Sequence, residues 1–136
     1  MGGGSARCEC EGLSGLDLVR CLAPPPGDYE LSLPLGRSRE VVVNSDGVFL
    51  RLVTHDDFLP FVRTQQVPLS EAQLRALGIS VDVLLCGAVV QLEEASLHGS
   101  VAAKERVDRC SDLVASVRSR CASPAPRQSD YRRPAV

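Results

Sequence analysis

The longest strongly apolar run in the chain is Ile79–Leu97, ISVDVLLCGAVVQLEEASL. On a helical wheel Val81, Leu84, Leu85, Ala88, Leu92 and Ala95 share one face, with Val83, Cys86, Val90 and Leu97 nearly opposite. Two apolar faces predict a helix covered on both sides by other layers. The competing reading is a pair of strands broken at Gly87, since valine favours strand and glycine weakens a helix. The length of the run and the helix-forming tail QLEEASL favour the helix. Asp82, Glu93 and Glu94 interrupt it, so it does not read as a membrane span.

Upstream the period changes from helical to alternating. Tyr29, Leu31, Leu33 and Leu35 alternate with polar residues, as a half-buried strand requires. Arg39–Val43 predicts a second strand, and Val48, Leu50 and Leu52 a third, with Asn44-Ser45-Asp46-Gly47 turning the chain between them. Pro34 belongs near an edge, because it cannot donate to a ladder. Such a meander needs a covering layer, and the apolar helix is the evident cover.

Capping chemistry places the shorter helices. Ser14 and Asp17 open one that runs to about Leu22, before Pro24-Pro25-Pro26-Gly27 ends it. Thr54 caps a short helical turn carrying Phe58, Leu59, Phe61 and Val62. Ser70 with Gln73 forms a capping box for a helix that Gly78 terminates, and Ser80 caps the main helix. From Val101 to Cys121 one amphipathic helix is expected. Its stripe includes Val107, Cys110, Leu113, Val114, Val117 and Cys121, partly at coiled-coil spacing over little more than two heptads.

The expected class is therefore α+β: a small antiparallel β-meander on a long apolar helix, followed by a C-terminal amphipathic helix that resembles a coiled-coil strand. Residues 1–12 read as a flexible Gly-rich tail, 13–121 as one domain, and 122–136 as a polar, Pro-containing disordered tail. There is no tryptophan and few other aromatics, so Leu, Val and Ala must build the core. A net charge of −2 gives no reason to expect a nucleic-acid partner. Arg118, Arg120, Arg127, Arg132 and Arg133 against Asp130 make the C-terminal end basic, which reads as a solvated tail.

Six cysteines stand at 8, 10, 21, 86, 110 and 121, with no CxxC pair. Cys86 and Cys110 fall on apolar helix faces, where a thiol acts as a small hydrophobe. MGGGSARCEC has no apolar core of a secretory signal. Together these predict a reducing, cytoplasmic setting without structural disulfides.

Candidate chemistry is sparse. Thr54, His55, Asp56 and Asp57 form one versatile cluster, near which a small enzyme site or a divalent metal could lie, but Thr and Asp are also what a helix N-terminus uses. Zinc on Cys8, Cys10, Cys21 and His98 lacks paired-ligand spacing. Cys86 and His98, on one helix, would stand about 18 Å apart. No phosphate loop, nucleophile elbow or metalloprotease pattern is present. No cofactor, metal or catalytic residue is therefore assigned. The N-terminus partly fits an acylation signal, with Gly2 for myristate and Cys8 and Cys10 for a second chain, although Ala6 breaks the pattern. The leading expectation is a non-enzymatic adaptor or complex subunit that binds protein partners, or a second copy, through Val107, Cys110, Leu113, Val114, Val117 and Cys121. A peripheral membrane scaffold tethered by acylation is the alternative.

Overall fold

A computed structural model describes residues 7–55 and 62–122. The chain runs α1 (Gly15–Leu22), β1 (Leu31–Pro34), β2 (Arg39–Asn44), β3 (Gly47–His55), β4 (Val62–Pro68), α2 (Glu71–Ala76), α3 (Val81–Leu97), α4 (Val101–Arg109) and α5 (Ser111–Ala122). The four strands form an antiparallel meander in the order β1-β2-β3-β4. The α+β class and the three expected strands are borne out.

Alternation sets the register. Val41 pairs with Leu33 and Leu50, and Val43 with Leu31 and Val48, which puts these residues on the face turned to the helices. The β2–β3 turn is closed by Asn44. Its Oδ1 accepts from the Asp46 amide at 2.8 Å, its Nδ2 donates to Glu30 at 2.9 Å, and Gly47 takes φ 142°. Pro34 ends the edge strand β1, as its missing donor requires.

Two residues of the expected helical turn are instead strand: Thr54 pairs with Arg63, and Val62 with His55. The strand β4 had no sequence signal, because Val62, Thr64 and Val67 do not share one face. Phe58, Leu59 and Phe61 lie outside the described residues.

Serine caps open three of the later helices, the first two as expected. Ser70 and Gln73 make a full capping box on α2, which ends at Gly78 with φ 79°. Ser80 Oγ accepts from the Val83 amide at 3.2 Å, and Ser100 Oγ from the Ala103 amide at 3.2 Å. Each such cap is worth about 1 kcal/mol. Ser14 precedes α1 without a side-chain cap bond.

The long helix is one helix, with Leu84, Leu85, Ala88, Val89, Leu92 and Ala95 buried. It touches α1, strands β1 and β2, and helices α4 and α5. Gly87 lets it approach the sheet: a Cβ there would meet Leu31 Cδ2 at 2.6 Å. A single broad face thus meets both neighbouring layers. The expected second covered face is not formed; apart from Cys86 it is turned to solvent.

The helix expected from Val101 to Cys121 is also corrected. It breaks at Cys110, whose φ of −109° and ψ of 28° close α4 and start α5. Cys110, Val114 and Val117 then turn into the core that α3 lines.

Candidate functional site

All six cysteines are paired: Cys8–Cys110, Cys10–Cys21 and Cys86–Cys121, with Cα atoms 4.8, 5.7 and 5.8 Å apart. This overturns the expectation of free thiols. Cys86 and Cys110 do lie against apolar faces, but a half-cystine occupies such a face as readily as a thiol does. The bonds also correct the flexible tail expected over 1–12. Among its described residues Cys8 and Cys10 are bonded, and Cys10 is 0% exposed.

Charge completes that anchoring. Glu9 accepts from Arg109 Nη2 at 2.9 Å and is ion-paired with Arg106 Nη2 at 3.0 Å. Arg106 also donates to the Cys21 carbonyl, and its Nη1 lies 4.0 Å from Cys10 Sγ and 3.9 Å from Cys21 Sγ. The Arg109 hydrogen bond, the residue's own backbone amide and the nearby charge of Arg106 hold the Glu9 carboxyl down at about 2. A carboxylate with a depressed pKa stabilises the fold above its ordinary range and loses that contribution as pH falls toward the folded value. Wild type should therefore melt above Glu9→Gln at pH 7, and the two melting curves should converge between about pH 4.5 and 2. Equal melting temperatures at pH 7 would show that the ion pairs do not help hold the segment.

The six residues expected to bind a partner are used inside the chain. Val114 and Val117 are 1% exposed, as is Cys110, and Val107, Leu113 and Cys121 are half-buried against the same core. Cys110 and Cys121 are in addition half-cystines. Cys110, Val114 and Val117 cannot meet a second chain without leaving the core. A second acyl chain on Cys8 or Cys10 is corrected likewise, since thioacylation needs a free thiol and both sulfurs are bonded. Gly2 lies outside the described residues.

Other candidate chemistry disperses. His55 is the last residue of β3, and Asp56 and Asp57 lie outside the described residues. The His98 ring stacks on Tyr29 with centroids 5.4 Å apart, and its Nδ1 is 3.0 Å from the Glu94 carbonyl oxygen. On the outer face of the sheet Arg51 holds Glu30 and Glu40 at 3.3 Å each and donates to Gln66 at 3.0 Å. That cluster satisfies itself. Two cavities of about 270 Å³ each are described, one lined by Leu16, Arg20, Asp46 and Phe49, the other by Arg7, Cys8, Glu11 and Arg109. Both fall just short of the roughly 300 Å³ at which small-molecule sites begin.

No protein family, curated protein or solved structure matches the chain. Among the described residues no helix is long and apolar enough to cross a membrane.

What remains is a surface. Val83 and Val90 are each 53% exposed, Leu97 is 81% exposed and Val101 70%. The first three recur every seventh residue of α3, so they form one line about 21 Å long. Val101 opens α4 just beyond its end. Asp82 and Glu94 border the line, and Glu93 beside it is paired with Arg118 at 2.5 Å. The Cys86–Cys121 bond fixes α5 along its flank. Sequence reasoning placed Val83, Val90 and Leu97 on one apolar face but took that face to be covered.

Proposed function

We propose that this protein is a non-enzymatic, disulfide-braced interaction module that docks a protein partner on the exposed line Val83–Val90–Leu97 of α3. The observation carrying the reading is that line itself: an apolar stripe at seven-residue spacing on a helix whose other side is fixed in the core. Single exposed apolar residues need no explanation, whereas an aligned set with an acidic border is what a helix-binding surface presents. The matching partner is an amphipathic helix with apolar residues at i, i+7 and i+14 and basic residues along its edges, complementary to Asp82 and Glu94.

The three disulfides support an oxidising compartment for this module in place of the cytoplasm expected from sequence. The scaffold fits a binding role: the described carboxylates of the sheet are paired, and the cavities are small.

Val90→Glu combined with Leu97→Glu tests the reading, because both side chains are exposed. The double variant should keep its melting temperature within about 1 kcal/mol equivalent, as surface substitutions do. Its association, read by light scattering and by co-purification of the full chain, should fall at least about tenfold. Retained association in a folded double variant would remove the surface from consideration.

A further inference from the structure

Two of the three disulfides share one corner of the molecule. The Sγ atoms of Cys8, Cys10 and Cys110 lie within 4.8 Å of one another, and Cys21 Sγ is bonded to Cys10. Four sulfurs from three separate stretches thus converge: the N-terminal turn, α1 and the α4–α5 junction. Tetrahedral zinc with bonds of about 2.3 Å holds its sulfurs about 3.8 Å apart. Zinc binding would part the two bonded pairs to that spacing, and the sulfurs of Cys8, Cys10 and Cys110 already stand within 4.8 Å of one another, with Cys21 held beside them by its bond to Cys10. We propose that Cys8, Cys10, Cys21 and Cys110 form a redox-switched zinc site, closed as two disulfides under oxidising conditions and binding one Zn²⁺ through four thiolates once reduced.

The surroundings suit the reduced state. A zinc tetrathiolate carries a net charge of −2, and the guanidinium groups of Arg106 and Arg109 stand at the cluster, with Glu9 bound to both. Arg106 Nη1 already lies within hydrogen-bond range of the Cys10 and Cys21 sulfurs, as an outer-sphere donor to zinc-bound thiolates does. Cys10 and Cys110 are buried and Cys8 and Cys21 half-buried. The cavity lined by Arg7, Cys8, Arg109 and Cys110 opens the Cys8–Cys110 bond to an incoming thiol. The third pair, Cys86–Cys121, has no further cysteine, histidine or carboxylate grouped with it among the described residues.

The chemistry balances with a dithiol as reductant. Each disulfide takes two electrons and two protons from one dithiol, which leaves as its own disulfide. The four protein thiols then lose four protons as their sulfurs bind Zn²⁺. Sequence spacing could not show the site, because its ligands come from three stretches and not from paired CxxC motifs.

The full chain, prepared oxidised and then reduced with a phosphine, should be titrated with Zn²⁺ and its free thiols counted by alkylation and mass spectrometry. The oxidised chain should bind none. The reduced chain should take one zinc, and the number of alkylated cysteines should fall from six to two, Cys86 and Cys121. X-ray absorption should report four sulfurs at about 2.3 Å. Cys10→Ser and Cys110→Ser should each lose the zinc, whereas the double variant Cys86→Ser with Cys121→Ser should keep it. Circular dichroism accompanies the titration: where reduction unfolds the chain, zinc should restore its helical signal. A reduced chain that leaves all six thiols reactive with zinc present overturns the proposal. So does equal protection in all variants without recovery of helix, which is chelation by an unfolded chain.

Discussion

Replacing Cys8 and Cys110 together by serine should cost about 4–5 kcal/mol of stability. Their bond spans 102 residues, and in the chain-entropy account a loop of that length restricts the unfolded ensemble by about that much. The Cys10–Cys21 bond, across 11 residues, should be worth about 3 kcal/mol by the same reasoning. Domains of this size retain only about 5–15 kcal/mol in all. The double variant should therefore melt far below wild type, and its N-terminal amides should lose protection from hydrogen exchange first. Glu9 with Arg106 and Arg109 is too exposed to hold that segment by itself. An unchanged denaturant midpoint in the double variant would show that the bond contributes no net stability.

Leu85→Asp should unfold the domain outright. Leu85 is on the buried face of α3, where the helix meets its neighbours, and an aspartate there would be an unpaired charge among Leu, Val and Ala. The penalty, about 4–5 kcal/mol or more, is comparable with the total stability. Val83→Asp, two residues away on the exposed face, should shift the melt by no more than about 0.5 kcal/mol. Thermal melts by circular dichroism separate the pair. Equal damage from both would mean that α3 is covered on both sides, as its composition alone suggested.

That contrast marks where the sequence is informative. Period and capping are local, so β1 to β3, Ser70 with Gln73, Ser80 and Gly78 were all legible. The buried face of α3 was legible too, down to Leu84, Leu85, Ala88, Leu92 and Ala95. What covers a face is not local. Val83, Val90 and Leu97 are as apolar as the core residues, and only the placement of the other helices leaves them in solvent. The same holds for the stripe through Val114 and Val117, whose spacing suits a second chain and an internal partner equally. β4 escaped notice because its partner, and not its own pattern, makes it a strand: Gln65 and Gln66 pair with Leu52 and Arg51. Cysteine pairing was the largest omission. Six cysteines allow 15 connectivities. The apolar settings of Cys86 and Cys110 and the lack of a secretory signal pointed away from pairing, and neither reports which cysteines the fold brings together.

The Cys8–Cys110 bond has a mechanical consequence as well. Under tension applied at the two ends, force passes from residue 8 to residue 110 through the sulfur bridge and bypasses the strands and the long helix. Only about 34 residues can be drawn out, no more than about 120 Å of contour. With the bridge reduced, the full 136 residues would extend to about 490 Å. Pulled from either side of that bridge, the oxidised domain is a link whose sheet bears no load.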